Sequence, residues 1–379
     1  MTNAAANLKR RVRVEINLGA LARNYERIAH FVAPARVLAV LKANAYGLGV
    51  EAYAEALAQT SCAGFGVAEP FEALQLAGRF NKDVQLLSSV LPDEIEPMVA
   101  ANVILPVIDL NEARQISAAA VCLNKTARVH FKIDSGMGRL GILLADALNV
   151  MREVRALPNL DCEGIFSHCP MAYDPTDPFT AAQIENFKRL ISAAEADGFK
   201  FKKIHIAASD AINNFPQAAQ SPFNMVRTGL NLHGSFDPNG RRVLSVEQVL
   251  TLKTRVAQVR TLPAGTTLGY GRTWCLNKPT RVATISAGYA DGLPLALSNR
   301  GHVIIHGKYC PVIGRISMDY TTVDVSTVPD VQPGDDVTCL GTEGEATITP
   351  DDWVALKGTH AYEVICSLGS RVERVPCRG

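Results

Sequence analysis

The sequence predicts two domains, a (β/α)8 barrel of the TIM type over residues 12–245 and a mostly β domain over residues 246–379. Three observations support this α/β fold class. Eight short apolar runs alternate with amphipathic stretches between residue 37 and about residue 230. The helical period largely disappears after about residue 245. A chain of 379 residues is also too long for one small domain and suits two.

The eight apolar runs have the length and the Val, Ile, Leu and Phe content of buried parallel strands. They are VLAVLK (37–42), GFGVA (64–68), VQLLS (84–88), VILPVI (103–108), VHFKID (129–134), CEGIFSH (162–168), KIHIAAS (203–209) and MVRTG (225–229). Helical patterns separate them, and Gly198 is placed as a helix stop. Eight β units separated by helices favour a barrel. A doubly wound open sheet is the alternative, but its switch-point glycine motif is missing.

Short strands with glycine and proline turns follow residue 245, a pattern typical of a mostly antiparallel β domain. The strand-like segments are VLTLKTRVAQVRTLPAG, RVATISAG, GHVIIHGKYCPVIG, YTTVDVS and PGDDVTCLG, whereas PDDWVALKG has a helical pattern. The alternating segment RVRVEIN, about residues 11–17, is a candidate strand to pair with this domain.

Composition and charge argue against several classes of partner. A net charge of +1 provides no bulk field for nucleic acid or an anionic membrane. No run approaches the ~18 apolar residues of a spanning helix, and no apolar stretch of a signal peptide follows the basic N-terminus. The nine cysteines have irregular spacings and no CxxC motif, so we expect no metal site and reduced thiols in a cytoplasmic protein.

Functional groups collect at the carboxyl ends of barrel strands. Five of the eight predicted ends carry polar residues directly after the apolar run: Lys42, Lys132 with Asp134, His168, Ser209 and Arg227. Each residue alone has a structural interpretation, since a lysine there is usually solvated and a lone histidine is usually a packing residue. Their combination at one face of a barrel indicates a site.

Several motifs resemble the alanine racemase family. VLKANAYGLG (40–49) resembles the segment in which the cofactor is attached, and DSGMGRLG (134–141) resembles the segment with the arginine that binds the substrate carboxylate. Further matches follow in the family's order: HIAASDA (205–211), VRTGLNLHG (226–234), LGYGRTW (268–274), SAGYADG (286–292), GRISMDY (314–320) and YEVICSLGSRVER (362–374). Any one motif is weak or moderate, but together they span nearly the whole chain.

The resemblance implies pyridoxal 5′-phosphate as the cofactor. The implied cofactor-binding residues are Lys42, Tyr46, His168, Ser209, Arg227, Gly229, Leu230 and Tyr362. Ser209 and the amides of Gly229 and Leu230 would bind the phosphate after strands seven and eight, where barrels commonly bind phosphate. Arg227 would face the pyridine nitrogen, and because an arginine does not readily lose its proton, that nitrogen should stay unprotonated.

The resemblance also implies the reaction, which is interconversion of L- and D-alanine by two bases on opposite faces of the substrate. Lys42 would serve the D enantiomer and Tyr270 the L enantiomer. The implied substrate-binding residues are Arg139, Met318, Asp319 and Tyr289. Tyr270 would reach the barrel of a partner subunit, so a homodimer with shared active sites is expected. The D-alanine would supply cell-wall peptidoglycan.

Lys132 has two interpretations. Many family members carboxylate this lysine, and the carbamate orients the substrate-binding arginine. In the other interpretation it is an ordinary lysine paired with Asp134, because a buried lysine is costly unless it is neutralised.

The chain departs from the family's usual residues at seven positions: Leu48, Ala208, Thr228, Asn231, His233, Leu295 and Ser370. Three alternatives remain open: a broad-specificity racemase, a decarboxylase of the same architecture and a non-catalytic pyridoxal-phosphate-binding protein. The decarboxylase would not be expected to show the LGYGRTW tyrosine or the GMGRLG arginine. The binding protein would resemble the barrel alone.

Overall fold

A computed structural model describes residues 9–378. The chain divides into two compact units. The first strand, β1 (Arg13–Asn17), belongs to one unit together with the chain from Gln248 onward, whereas Leu21–Glu247 forms the other. Helix α1 (Leu18–Val32) carries the chain from one unit into the other.

Strands and helices alternate through Leu21–Glu247. They are β2 (Arg36–Val40), α2 (Lys42–Gly47), α3 (Val50–Ala58), β3 (Gly64–Val67), α4 (Pro70–Leu76), β4 (Asp83–Leu86), α5 (Ile95–Ala100), β5 (Leu105–Val107), α6 (Leu110–Cys122), β6 (Ala127–Asp134), β7 (Ile142–Leu143), α7 (Ala147–Arg155), β8 (Leu160–Phe166), α8 (Pro178–Ala196), β9 (Lys203–His205), α9 (Ser209–Asn214) and β10 (Met225–Thr228).

Eight of these strands are parallel and close into a barrel. Two runs of neighbours, β10-β2-β3-β4 and β5-β6-β8-β9, are hydrogen-bonded internally. The bridge Gln85↔Ile104 joins the runs on one side. On the other side, the amide of Asn224 donates to the carbonyl of Ile204 at 3.1 Å. The predicted (β/α)8 barrel is therefore confirmed, with the short β7 as an addition on β6.

The barrel strands are buried on both faces, as their continuous apolar runs predicted: every residue of β3, β5 and β10 is buried. Helices α6 and α8 begin after aspartates whose carboxylates accept a backbone amide, Asp109 from Glu112 and Asp177 from Phe179, each at 2.7 Å. Gly198, with φ of 90°, follows the end of α8, where a helix stop was predicted.

The other unit is built mostly of strands. After β1 its elements are β11 (Leu250–Leu262), β12 (Thr267–Leu268), β13 (Trp274–Cys275), β14 (Thr280–Ile285), β15 (His302–Ile305), β16 (Lys308–Pro311), β17 (Thr321–Asp324), β18 (Asp336–Glu343), β19 (Ala346–Ile348), α10 (Pro350–Lys357), α11 (Ala361–Cys366) and β20 (Glu373–Cys377). In a nine-stranded sheet, β1 lies between an antiparallel β11 and a parallel β20. None of the helices within residues 9–378 combines the length and apolar character needed to cross a bilayer.

Candidate active site

The chain makes a left-handed turn directly after Lys42. Residues 43–46 all have positive φ, between 51° and 59°. This conformation costs roughly 1–2 kcal/mol for each residue other than glycine, so contacts elsewhere must hold the turn. The buried carboxylate of Glu72 accepts the amide of Asn44 at 2.7 Å, and the Asn44 side chain accepts the amide of Val50 at 2.8 Å. Lys42 itself is exposed after the end of β2.

Tyr46, the last residue of this turn, is buried against the end of β10. Its ring meets the His233 ring edge-on, with centroids 4.6 Å apart, and the Tyr53 hydroxyl lies 3.0 Å from His233 Nδ1. A Cβ at residue 229 would overlap the Tyr46 hydroxyl, so this oxygen lies directly over the Gly229 backbone. The turn after Lys42 therefore brings Tyr46 to the predicted phosphate-binding residues.

Ser209 and Gly229 lie together beyond β9 and β10. The Gly229 amide donates to Ser209 Oγ at 3.2 Å, and Thr228 Oγ1 lies 3.4 Å from the same oxygen. Ser209 and Thr228 are fully buried, and Leu230 continues the chain into a short 3-10 turn. Hydroxyls and backbone amides grouped at the end of a barrel strand form a seat for a small anion such as phosphate.

Arg227 is buried in the barrel and held by several acceptors. Its Nη1 donates to His205 Nδ1 at 2.6 Å, and its Nη2 donates to the carbonyls of Ser167 and Ile206 at 2.7 and 3.0 Å. Burial lowers the pKa of Arg227 to about 10, so it remains protonated at neutral pH. No described residue accepts a hydrogen bond from its Nε, which is the donor left for a ligand.

His168 lies beside this guanidinium, with Nδ1 3.4 Å from Arg227 Nη2. Burial, followed by the positive charges of Arg227 and Arg139, lowers the pKa of His168 to about 3. The imidazole is therefore neutral at physiological pH. A neutral flat ring at the barrel mouth can pack against an aromatic ligand without adding positive charge.

Lys132 and Asp134 do not pair, so that interpretation of Lys132 is wrong. The Lys132 ammonium donates to the carbonyls of Leu87 and Ser88 at 2.6 and 3.3 Å. The Asp134 carboxylate instead accepts the four amides of residues 136–139 at 2.9 to 3.1 Å. Burial, followed by the charges of Arg139 and Arg227, lowers the pKa of Lys132 to about 8.

The loop after Asp134 places Arg139 at the barrel surface. Four hydrogen bonds from backbone amides to the Asp134 carboxylate fix the backbone of this loop, while the Arg139 side chain is exposed. The structure thus brings the predicted barrel residues Lys42, Tyr46, Lys132, Arg139, His168, Ser209, Arg227, Gly229 and Leu230 to the carboxyl ends of the strands or the loops that follow them.

The remaining predicted residues lie in the β unit. Tyr270 follows Gly269 in a turn and is 74% exposed, and Tyr362 is the second residue of α11. Tyr289 and Met318 are about half exposed, and their loops are joined because the Tyr289 amide donates to the Ser317 carbonyl at 3.1 Å.

Arg371 is a residue of this region that the sequence analysis did not single out. It pairs with Asp291 through Nε at 2.7 Å and with Asp319 through Nη1 at 2.7 Å. One guanidinium therefore ties the Tyr289 loop to the Met318–Asp319 loop. The motif SRVER contained this residue, but only the fold shows which carboxylates it meets.

Comparisons with known proteins agree over nearly the whole chain. The family described as "Alanine racemase, N-terminal domain" matches residues 16–237, and "Alanine racemase, C-terminal domain" matches residues 249–376. An alanine racemase of Desulfosudis oleivorans is 36% identical over an alignment that covers 96% of each chain.

Solved structures give the same relationship. An alanine racemase of Clostridium difficile 630 superimposes with a TM-score of 0.92 at 28% identity, covering 98% of this chain and 97% of that one. The alanine racemase of Bartonella henselae with covalently bound pyridoxal phosphate gives a TM-score of 0.85 at 29% identity and covers 97% and 100% of the two chains.

Proposed function

Because the chain belongs to the alanine racemase family, we propose that Lys42 holds pyridoxal 5′-phosphate covalently and that Lys42 and Tyr270 are the two bases of the reaction. The activity itself, pyridoxal-phosphate-dependent interconversion of L- and D-alanine, follows from family membership over nearly the whole chain. The assignment of Lys42 is supported by one observation, the left-handed turn that follows it and places the Tyr46 hydroxyl over Gly229. The assignment of Tyr270 rests on the family resemblance.

The donor set fits the cofactor at both ends. Ser209, the Gly229 and Leu230 amides and the Tyr46 hydroxyl suit a phosphate, and Arg227 retains Nε for a ring nitrogen. When bound, the cofactor supplies a conjugated electron-withdrawing system that acidifies the α-hydrogen of alanine. The family resemblance also implies Tyr362 as a cofactor-binding residue.

Arg227 controls the strength of that withdrawal. A guanidinium that stays protonated cannot give a proton to the ring nitrogen, so the ring remains the weaker, neutral electron acceptor. Proton return to the α-carbon is then favoured over proton transfer to other positions. This role suits a racemase, whose product differs from its substrate only in the face that received the proton.

Arg139 is the proposed carboxylate-binding residue. Its guanidinium is exposed while its backbone is fixed through Asp134, so the side chain can grip a carboxylate bidentately. Met318, Asp319 and Tyr289 would border the substrate from the joined loops of the β unit.

Lys132 is proposed to carry a carbamate beside Arg139. A pKa of about 8 leaves an appreciable fraction of neutral amine, which attacks the carbon of CO₂ and loses a proton to solvent. The product replaces a buried cation next to Arg139 with an anion. Holoenzyme in ¹³C-bicarbonate should show a carbamate resonance that Lys132→Arg removes, and a resonance unaffected by that substitution would disprove the assignment.

Tyr270 is proposed to act in the barrel of a partner subunit. Its side chain is three-quarters exposed on the β unit, and those of Tyr289 and Met318 are about half exposed. Exposed apolar and aromatic side chains of this kind fit a surface that a second copy covers. A two-fold homodimer would then contain two equal shared sites. We further propose that the enzyme is cytoplasmic and supplies D-alanine for peptidoglycan. No disulfide links its nine cysteines, all within residues 9–378, as a reducing compartment requires.

Subunit complementation tests the shared site. Inactive Lys42→Ala and Tyr270→Phe proteins are mixed, dissociated and reassociated, and D-alanine formed from L-alanine is measured. Mixed dimers should have one complete site, so random pairing recovers at most about a quarter of the wild-type activity. Absence of recovery despite demonstrated subunit exchange would place both bases on one chain.

A further inference from the structure

A hydrogen-bonded series of four buried side chains, Glu163, His130, His205 and Arg227, crosses the barrel interior. His205 Nδ1 receives Arg227 Nη1–H at 2.6 Å, and His205 Nε2 lies 3.5 Å from His130 Nδ1. His130 Nε2 in turn lies 3.3 Å from Glu163 Oε1. All four residues are at most 4% exposed. This series begins near the amino ends of the strands at Glu163 and reaches the site at their carboxyl ends at Arg227.

The hydrogen bonds determine which nitrogen of each histidine carries the proton. An arginine only donates, so His205 Nδ1 must be unprotonated. Burial, followed by the charge of Arg227, lowers the pKa of His205 well below its usual value, so the neutral ring carries its proton on Nε2. That proton points to His130 Nδ1, which also receives Gln85 Nε2–H at 3.0 Å. His130 therefore also carries its proton on Nε2 and donates it to Glu163.

Glu163 fixes the direction in which the hydrogen bonds of this series are donated. It accepts Lys203 Nζ at 2.8 Å and Arg128 Nη2 at 3.0 Å besides His130. Burial alone would raise the pKa of this carboxyl, but these three hydrogen bonds outweigh burial and hold the pKa far below its usual range. An ionised carboxylate can only accept hydrogen bonds, so every donor in the series points away from Arg227 and toward Glu163.

Packing holds both imidazole rings in place. A Cβ at Gly164 would come within 2.6 Å of His130 Nε2, so the His130 ring lies directly against the backbone of β8. The His205 ring is stacked on Phe166, with centroids 5.1 Å apart and planes 8° from parallel. Each ring is therefore in close contact with β8, through the backbone of Gly164 for His130 and through the Phe166 ring for His205.

We propose that Glu163 and His130 are positioning residues for Arg227. They hold His205 in the Nε2–H tautomer, which gives Arg227 Nη1 an acceptor and leaves Nε as the donor that would bind the ring nitrogen of the cofactor. The opposite tautomer would set an N–H of His205 against an N–H of Arg227 and shift the guanidinium, which would then be held mainly by backbone carbonyls. This inference rests on the proposed role of Arg227, but its first test does not depend on activity.

The first test is the tautomer of each histidine in the holoenzyme at neutral pH. Long-range ¹H–¹⁵N correlation of protein labelled at histidine distinguishes the two neutral tautomers, and His130→Gln and His205→Gln identify the signals. We expect both rings to be neutral with the proton on Nε2. Either ring found protonated, or with its proton on Nδ1, overturns the inference whatever the enzyme's activity.

The second test compares two carboxylates of the same ionic cluster. Asp83 contacts Arg128 at 2.7 Å and Lys203 at 2.8 Å, and Glu163 contacts the same two residues at similar distances. Of the two carboxylates, only Glu163 bonds to His130. Glu163→Gln removes the charged acceptor at the end of the series, whereas Asp83→Asn removes a charge that lies outside it.

The measured quantity is pyruvate formed per racemisation event. A displaced Arg227 would permit protonation away from the α-carbon, after which water would release pyruvate and the amino group of alanine would stay on the cofactor. We expect Glu163→Gln to raise this ratio about tenfold, the effect of weakening one hydrogen bond to a charged group. Asp83→Asn should leave it within about twofold of wild type. Gly164→Ala displaces the His130 ring but keeps the ionic cluster of Asp83, Arg128, Glu163 and Lys203 unchanged. Its effect should match that of Glu163→Gln. Equal effects of the two neutralised carboxylates, or no change in Glu163→Gln and Gly164→Ala, would overturn the proposal.

Discussion

The hydroxyl of Tyr46 lies directly over the Cα of Gly229, in the space that a β-carbon at residue 229 would occupy. The Tyr46 ring is buried and packs edge-on against His233, which holds the hydroxyl at this place. The absence of a side chain at residue 229 is therefore required by a tyrosine on a different strand–turn unit of the barrel.

Gly229→Ala should weaken the binding of pyridoxal phosphate, because the new methyl group displaces the Tyr46 hydroxyl from the phosphate seat. We expect the dissociation constant to rise about tenfold or more, the effect of losing one hydrogen bond to a charged group. The control is Gly240→Ala, whose β-carbon would come closest to the tip of the Asn214 side chain, at 3.2 Å. Equal affinity of both variants, measured by absorbance titration, would contradict the packing argument.

Lys42→Ala should abolish covalent attachment of the cofactor and reduce racemisation at least a hundredfold in both directions, about the contribution of a positioned acid–base group. Borohydride reduction followed by peptide mass spectrometry locates the adduct. Lys188→Ala changes a half-buried lysine of the same unit and should retain both properties. A stable adduct on a lysine other than Lys42 would refute the assignment.

Tyr270→Phe should impair proton exchange selectively from the L enantiomer. Removing one acid–base group costs about a hundredfold, so uptake of solvent deuterium by L-alanine should fall by that factor while uptake by D-alanine falls less. Tyr309→Phe is the matched control, because Tyr309 is another tyrosine of the β unit and is about half exposed. Unchanged deuterium uptake by L-alanine in Tyr270→Phe would remove this tyrosine from the mechanism.

Three fully buried histidines should make the protein sensitive to acid. Burial lowers the pKa of His130, His205 and His233, the last to about 3. Below about pH 6.5 the unfolded chain binds protons that the folded chain does not, so the free energy of unfolding falls as the pH falls. Each histidine contributes about 1.4 kcal/mol per pH unit until its folded pKa is reached.

His233→Phe isolates one of these contributions. The slope of unfolding free energy against pH, from urea titrations between about pH 6 and pH 4 at fixed protein concentration, should decrease by about 1.4 kcal/mol per unit. His302→Phe replaces an exposed histidine with the same residue and serves as the control for the substitution itself. An unchanged slope in His233→Phe would mean that His233 is protonated in the folded state.

The barrel could be predicted from the sequence because its strands are buried on both faces. A strand of this kind has a continuous apolar run, and all eight runs correspond to parallel strands of the structure. The end of the seventh strand was less accurate: the run was predicted to reach Ser209, whereas β9 ends at His205 and Ser209 begins α9. Buried loop residues and strand residues have similar composition there.

Two features of the site could not be predicted. The left-handed turn consists of Ala, Asn, Ala and Tyr, of which only asparagine favours positive φ, and the buried Glu72 that holds it lies on a later helix. The hydrogen bonds that connect His205, His130 and Glu163 could not be predicted either. In a strand buried on both faces, the sequence does not show which side chains point into the barrel.

The position of β1 between β11 and β20 has a consequence for synthesis of the chain. Arg13 pairs with Lys253 on one side and with Glu373 on the other. Translation proceeds at about 5–20 residues per second, so the first strand waits roughly tens of seconds for its second neighbour. Throughout that time both edges of β1 are open to strands of other nascent chains. The alternating charges of Arg13 and Glu15 discourage such pairing until translation reaches the last strand.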